Sequence, residues 1–329
     1  MSHAILLDES VFDETFFPER LIGREGQVEQ IARCLKPAAV GKSIKNLYIY
    51  GPPGVGKTLV TKWILKEHFE KISVHVNCWS KRTSHKVMEE ILLQMGYPVH
   101  GKESTGDLIK RFEKGQKKVI MCLDESDHLK DYDFLYNLAR SSNCRGLVFI
   151  SNQAFTLSSI DHRIKSGLLL EEIEFKPYSR DEILAILKER VLYGLRTGSI
   201  SENLVSMVAK MSNGDARVSL QTLKIAAKDA ELKENDSITI DEIKAASKCA
   251  RKYRLSYLLG KLNDHQRIIY SILKKSRTME SGKLFDEYEK ILKQRAPPRS
   301  YRHYMQKMQE IGLVKEHGTG RWKRYEIIA

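Results

Sequence analysis

The sequence predicts an α/β domain, a parallel sheet with helices on both faces, followed by an all-helical segment and then three helices closed by a short β-hairpin. Three observations predict it. An apolar run, NLYIY from Asn46 to Tyr50, leads through the glycine-rich GPPGVGKT into a helical pattern from Leu59 to Phe69. A second apolar run, VIMCLDESD from Val119 to Asp127, ends on carboxylates. In the last quarter, three segments with apolar stripes at helical spacing precede two short alternating runs around HGTGR.

At 329 residues the chain is long enough for two or three domains, each with its own core. A hydrophobic fraction of 42% and a charged fraction of 29% are those of a soluble globular protein, and no apolar stretch approaches membrane-spanning length. The start MSHAILLDESVF lacks the basic-then-apolar order of a secretory signal, so an intracellular protein is expected. Cys34, Cys78, Cys122, Cys144 and Cys249 are odd in number and show no C-x-x-C spacing, which points to buried reduced thiols and away from a disulfide framework or zinc site.

Between the first strand and its helix, Gly51, Gly54 and Gly56 let the backbone turn tightly enough for successive N–H groups and the helix start to face phosphate oxygens. The loop comprises Gly51, Pro52, Pro53, Gly54, Val55, Gly56, Lys57 and Thr58, with Leu59 continuing into the helix. Lys57 sets a charge beside the β and γ phosphates and Thr58 offers a hydroxyl to magnesium, so ATP or ADP with Mg2+ is the expected ligand. The acidic run brings Asp124 as a metal ligand and Glu125 as the base that orients and deprotonates the attacking water. A third strand, Gly146 to Ile150, ends near Asn152, which reaches the same edge as a water-positioning candidate; a turn role is the alternative.

This order of strand, phosphate loop, helix, acidic strand and strand with terminal Asn resembles the AAA+ ATPases. The resemblance implies an arginine finger at Arg163 in DHRIKSGL, although relatives often carry Pro where this chain has His162. It also implies a helical lid opening at FKPYSRDEILAILKER, with Tyr178 and Arg190 lining the nucleotide and Arg217 of GDARVSLQTL as the lid arginine.

The last third carries its own signature. Ile268, Ile269, Ile272 and Leu273 stripe a helix from Asp264, and Leu284, Phe285, Tyr288, Ile291 and Leu292 stripe a second one capped by Ser281. Pro297 and Pro298 introduce a third, on which Tyr301, Tyr304, Met305, Met308 and Ile311 share one face and Arg299, Arg302, His303 and Gln306 the other. Leu313 to Glu316 and Trp322 to Ile328 read as a hairpin with Arg321 at its tip, flanked by Lys323 and Arg324. Three helices and a basic wing describe a winged helix-turn-helix, which reads the major groove with its third helix or docks proteins. The segment from Leu258 onward holds sixteen Lys and Arg against eight Asp and Glu, which is +8 of the chain's +13 and favours DNA.

An AAA+ base, a lid with GDAR and a C-terminal winged helix together resemble the archaeal replication initiators related to the origin recognition complex, over nearly the whole chain. The expected domains are 1–176 for the base, 177–257 for the lid and 258–329 for the winged helix. In FFPERLIGREGQVEQIARCL the resemblance implies that Leu21 and Ile22 pack near the adenine. SKRTSHKVMEEILLQMG is similar to the extra helical element of that clade, so Lys81, Arg82 and Lys86 become a second DNA contact, with a solvated helix start as the alternative. The implied partners are double-stranded origin DNA, the replicative minichromosome maintenance helicase and initiator paralogues, in the cytoplasm on the chromosome. A clamp-loader-like remodelling ATPase and an ATP-binding transcriptional or plasmid regulator are the competing readings.

Overall fold

The computed structural model of the chain describes residues 4–152, 168–260, 262–292, 295–318 and 320–328. Packing separates two compact units: one runs from Thr15 to Tyr178, and the other joins the segment ending at Glu14 to Ser179–Ala329.

The first unit is built on five parallel strands, β1 (Leu47–Tyr50), β2 (Ser73–Asn77), β3 (Val119–Asp124), β4 (Cys144–Ser151) and β5 (Glu171–Glu174), in the order β2-β3-β4-β1-β5. Helices α1 (Glu25–Ala39) and α2 (Lys57–Phe69) cover one face, and α3 (Ser84–Gln94), α4 (Thr105–Lys114) and α5 (Asp133–Arg140) the other. The central strands are apolar throughout because consecutive side chains enter different cores. Tyr48, Met121, Leu123, Leu147 and Phe149 pack towards α3, α4 and α5, whereas Ile49, Ile120, Cys122, Val148 and Ile150 pack towards α1 and α2.

β3 is shorter than its apolar run suggests. It stops at Asp124, because Asp124 Oδ1 accepts from the Glu125 N–H at 2.9 Å and Glu125 turns into the left-handed region at φ 54, after which Ser126–His128 form a 3-10 turn. That turn swings Glu125 out of the strand line at the C-terminal edge of the sheet, where open parallel sheets hold their ligands.

In the second unit, α6 (Arg180–Gly194), α7 (Glu202–Met211), α8 (Ala216–Leu232) and α9 (Ile240–Gly260) form the helical part. Ser179 and Glu182 close a reciprocal cap on α6, and Asp215 caps α8 through the Val218 N–H. The segment before Glu14 belongs to this unit. The Glu231 carboxylate accepts the Ile5 and Leu6 N–H groups at 2.7 and 2.8 Å, and Phe12 is buried against Gly194, where a Cβ would lie 2.4 Å from its ring. Lys224 binds Asp13 and Glu9, and Lys228 binds Glu9.

The C-terminal module comprises α10 (Asp264–Ser276), β6 (Thr278–Glu280), α11 (Ser281–Leu292), α12 (Pro298–Glu310), β7 (Val314–His317) and β8 (Arg324–Ile327). Its antiparallel sheet, β6-β8-β7, has one more strand than the sequence pattern shows, and Ser281 is the first residue of α11 instead of its cap. Trp322 lies in a 3-10 turn before β8. Ile269, Leu273, Leu284, Tyr288, Met305, Met308 and Leu313 form the core of this three-helix, three-strand winged fold. All five cysteines are free, and Cys34, Cys78 and Cys122 are buried while Cys144 and Cys249 are half-buried.

One carboxylate of the lid fixes a pH dependence. Glu242 at the start of α9 accepts from Lys233 Nζ at 2.7 Å, from the Thr239 N–H at 2.9 Å and from the Thr239 hydroxyl, and the Lys233 bond first of all draws its pKa down to about 2. Its folded value is below the unfolded one, so its contribution is complete above the ordinary glutamate value of 4.5 and is lost as pH falls towards 2. Urea titrations of Glu242→Gln are therefore expected to show a lower midpoint than the parent at pH 7, with the gap narrowing as pH drops from 4.5. A gap independent of pH would remove Glu242 as the titrating group.

Candidate functional site

The glycine loop between β1 and α2 can form only with glycine at its bends. Gly51, Gly54 and Gly56 have φ of 150, 82 and 90, and a Cβ on Gly51 would fall 2.1 Å from the Phe175 carbonyl oxygen. Gly56 is the N-cap of α2 and offers no side chain to the first N–H groups of that helix, so these remain directed at whatever anion the loop holds. Lys57 is 6% exposed, and its ammonium donates to Gly51 O at 2.7 Å, Pro52 O at 2.9 Å and Asn152 Oδ1 at 3.0 Å.

The ends of β3 and β4 converge on this loop, and a histidine within β2 stands beside them. Thr58 Oγ1 donates to Asp124 Oδ1 at 3.1 Å, and Asn152, just past β4, donates through Nδ2 to Glu125 Oε2 at 2.8 Å. His75 on β2 places Nε2 3.4 Å from Asp124 Oδ2. Mg2+ binds oxygen ligands octahedrally at about 2.1 Å, which puts neighbouring ligands about 3.0 Å apart. The Thr58 and Asp124 oxygens match that spacing and are hard donors, so the pair suits the ion.

The remaining residues fall into place one by one. Pro52, Pro53 and Leu59 are half-buried and Val55 is buried. Tyr178 is buried, with its hydroxyl 2.7 Å from where a Gly56 Cβ would be. Leu21 and Ile22 are half-buried, and Leu21 packs on the α1 and α2 core. Arg163 lies outside the described residues.

Arg190 and Arg217 belong to the second unit. Arg190 is buried on α6, and desolvation lowers its pKa. Arg217, in the first turn of α8, has Nε 2.7 Å from Glu14 Oε1. Asp215 beside it is fixed by Arg254 on α9 at 2.8 Å, so the GDAR turn is held from two sides.

Sequence reasoning missed Arg24. It is 4% exposed, its Nε donates to Val55 O at 3.0 Å and its Nη2 to Lys176 O at 2.7 Å, and its guanidinium stacks 3.6 Å from the Tyr178 ring centroid. One side chain thus ties the phosphate loop to the segment leaving β5. The signal was present: an arginine at a helix N-terminus opposes the helix dipole and calls for a tertiary partner. His75 and His128 were also missed, because what matters about them is their distance to Asp124 and Glu125.

On the winged module, Tyr301, Met305 and Met308 are buried while Arg299, Arg302, His303 and Gln306 are exposed along the opposite side of α12. Partial desolvation and then Lys307 lower the pKa of His303, so it is a neutral donor and acceptor at pH 7. Lys323 is held by Glu316 at 2.8 Å, and Arg324, on β8, lies 3.4 Å from Glu280. Arg321 is in the 3-10 turn of the wing. In the first unit Lys81 pairs with Glu90 at 3.1 Å, Lys86 is exposed on α3, and Arg82 is exposed with its Nε on Trp79 O at 3.0 Å.

Comparison with known proteins follows the same division. The Cdc6 AAA+ ATPase-type lid domain family matches residues 184–248, and the AAA domain family matches residues 42–158. ORC1-type DNA replication protein 1 of Sulfurisphaera tokodaii is 31% identical over 84% of this chain and 76% of its own length, and ORC1-type DNA replication protein 9 of Halobacterium salinarum is 26% identical over 98% and 94%. Among solved structures, the Aeropyrum pernix ORC1 protein in complex with DNA is similar with a TM-score of 0.73 at 24% identity, covering 99% of this chain and 94% of that one. The Aeropyrum pernix ORC2 protein in ADPNP–ADP complexes has a TM-score of 0.72 at 21% identity, covering 98% and 94%.

The loop geometry predicts a sharp contrast between two glycines. Gly51→Ala is expected to destabilise the chain by about 1–3 kcal/mol or more, since a left-handed backbone and a blocked Cβ act together. Gly26→Ala, in α1 with open space around it, is expected to be neutral or stabilising by up to about 1 kcal/mol. Equal denaturant midpoints for the two variants would contradict the loop conformation.

Proposed function

The chain belongs to the family of archaeal ORC1/Cdc6-type replication initiators, AAA+ ATPases with a Cdc6-type lid, and from that premise we propose that it binds ATP with Mg2+, hydrolyses it slowly, and binds origin DNA. The observation that carries the ATPase reading is the convergence of Lys57, Thr58, Asp124, Asn152 and Glu125 on one loop.

In this reading the N–H groups at the start of α2 bind the phosphates, and Lys57 exchanges carbonyl oxygens for phosphate oxygens. Thr58 and Asp124 hold the magnesium ion, which supplies charge neutralisation on the phosphates. Glu125 takes the proton of the attacking water, and Asn152 keeps the carboxylate aimed by donating to one of its oxygens. Tyr178 and the Leu21–Ile22 pair line the base, Arg190 and Arg217 sense the nucleotide, and Arg163 serves as the finger. Aeropyrum pernix ORC2 in its ADPNP–ADP complexes supports the nucleotide, and Aeropyrum pernix ORC1 in its complex with DNA supports the nucleic acid.

The exposed row Arg299, Arg302, His303 and Gln306 is assigned to base edges, with Arg321, Lys323 and Arg324 on the backbone beside the wing. Lys81, Arg82 and Lys86 make the second grip. Nucleotide state then labels the DNA-bound initiator as competent or spent, and the labelled complex recruits the replicative minichromosome maintenance helicase, with initiator paralogues as further partners on the chromosome.

Glu125→Gln is expected to bind ATP as the parent does and to lose turnover, whereas Lys57→Ala is expected to lose ATP binding itself. Calorimetry and phosphate release distinguish them, and turnover by Glu125→Gln would relocate the base. Arg302→Ala should weaken specific DNA binding by about 1–3 kcal/mol, the value of one bidentate base contact. The parent affinity should fall with salt at a logarithmic slope of about −0.9 per phosphate contacted. Anisotropy titrations showing unchanged affinity and sequence preference would remove α12 as the reading helix.

A further inference from the structure

The segment following β2 and the turn following β3 are fastened together at three points. The Cys78 N–H donates to Asp124 O at 2.8 Å, the Lys130 N–H to Arg82 O at 2.9 Å, and the Ser84 N–H to Asp131 Oδ2 at 3.3 Å. Between these bonds the side chains form an unbroken row. Arg82 Cζ lies 4.6 Å from the Trp79 ring centroid, and the Trp79 ring meets His128 edge-on with centroids 4.5 Å apart at 87°. His128 Nε2 in turn stands 3.5 Å from Glu125 Oε2 and 3.7 Å from Asp127 Oδ2.

We propose that Trp79 and His128 are positioning residues that couple Arg82 to Glu125, so that a backbone phosphate of duplex DNA bound at Arg82 raises the rate of ATP hydrolysis. The proposal rests on the reading of Glu125 as the base and of Arg82 as a DNA contact.

Each joint in the row has a physical reason to transmit. Arg82 is exposed, yet its Nε is committed to the Trp79 carbonyl and one face of its guanidinium to the Trp79 ring. The two terminal nitrogens are the donors left for a phosphate, whose fork geometry they match. A phosphate held there adds charge-assisted bonds to a group already resting on the ring, and so restricts the ring beneath it. Edge-on aromatic pairs are orientation-dependent contacts, so fixing the indole fixes the imidazole.

The last joint is incomplete, which is what makes it adjustable. His128 Nε2 is buried and makes no hydrogen bond to any described residue. At 3.5 Å from Glu125 Oε2 it is a few tenths of an ångström beyond hydrogen-bond length, and a shift of about 0.5 Å closes it. Asn152 Nδ2 already donates to that same oxygen at 2.8 Å. With two donors on Oε2 the carboxylate is held in one orientation. The short lever, from an exposed cation to the catalytic edge, stays inside one compact unit. Trp79 and Arg82 belong to the segment that separates β2 from α3, so they add no load to the core of the sheet.

The test is steady-state ATP turnover by the full chain, without duplex DNA and with saturating duplex DNA at low salt. Coupling of ordinary size raises the parent's kcat by about fivefold or more on DNA, with KM for ATP unchanged. Trp79→Ala is expected to bring the ratio of the two rates to one, and Trp79→Phe, which keeps an aromatic edge contact, to restore it. His128→Ala is expected to lower kcat without altering KM and to abolish the response. A merely structural role for Trp79 would move thermal stability and both rates together and leave their ratio intact. A Trp79→Ala variant as responsive as the parent, or a parent that binds duplex DNA with unaltered turnover, overturns the coupling. A parent that binds no duplex DNA at all overturns the proposed function along with it.

Discussion

A lysine ammonium buried at the start of a helix is the constraint from which the rest of the first unit follows. Transferring that charge out of water is costly unless oxygens surround it, and the dipole of α2 opposes a cation at this end. Lys57 meets the requirement with two loop carbonyls and the Asn152 side chain. For the carbonyls of Gly51 and Pro52 to turn inward, the loop must bend through left-handed conformations, which is why glycine recurs there. For Asn152 to arrive, β4 must lie beside β1 and end at the same level. The parallel register, with Tyr50 opposite Ser151, supplies that alignment. Such an arrangement leaves the helix N–H groups and one ammonium facing a common point, and an anion completes it.

The same edge gathers the acidic residues by a different local device. β3 is buried along its whole length, so its side chains cannot face solvent until it ends. The Asp124 carboxylate ends it by accepting the next N–H, which throws Glu125 into a left-handed turn and out of the apolar sheet. One carboxylate stays nearly buried against Thr58 and the other emerges beside Asn152. Two adjacent acidic residues thereby acquire different surroundings, as the proposed division of labour between metal ligand and base requires.

These features were legible in the sequence to unequal degrees, for identifiable reasons. The phosphate loop was legible because its glycines answer to local backbone geometry. The alternation of Tyr48, Ile49 and Tyr50 between two cores was legible as a continuous apolar run. The end of β3 was misread at Asp127, because the strand is stopped by a side-chain bond from Asp124 to the next N–H, which an apolar run followed by acids does not reveal. β6 escaped notice at three residues, since Thr278–Glu280 is a strand only by pairing with Arg324–Glu326. Arg24 and His75 escaped because each meets residues far along the chain, and His128 because a 3-10 turn, which periodicity does not reveal, brings it back towards Glu125. The split of the third winged-module helix into Tyr301, Met305 and Met308 against Arg299, Arg302 and His303 was legible because a helix must expose whatever its core-facing stripe excludes.

The basic residues assigned to DNA are not equivalent, and their existing partners sort them. Lys323 with Glu316, Arg324 with Glu280 and Lys81 with Glu90 are already in ion pairs, all partly exposed, so breaking any of them costs little. Such a cation reaching a phosphate exchanges one anion of the protein for one of the DNA, and the carboxylate left behind has to take up a counterion. Arg299 and Arg302 are exposed on α12 and appear in no ion pair among the described residues. In the proposed DNA-bound state each paired cation that moves to a phosphate releases the DNA's counterion while its former carboxylate takes one up, so its net contribution to the salt dependence is smaller than that of an unpaired cation on a phosphate.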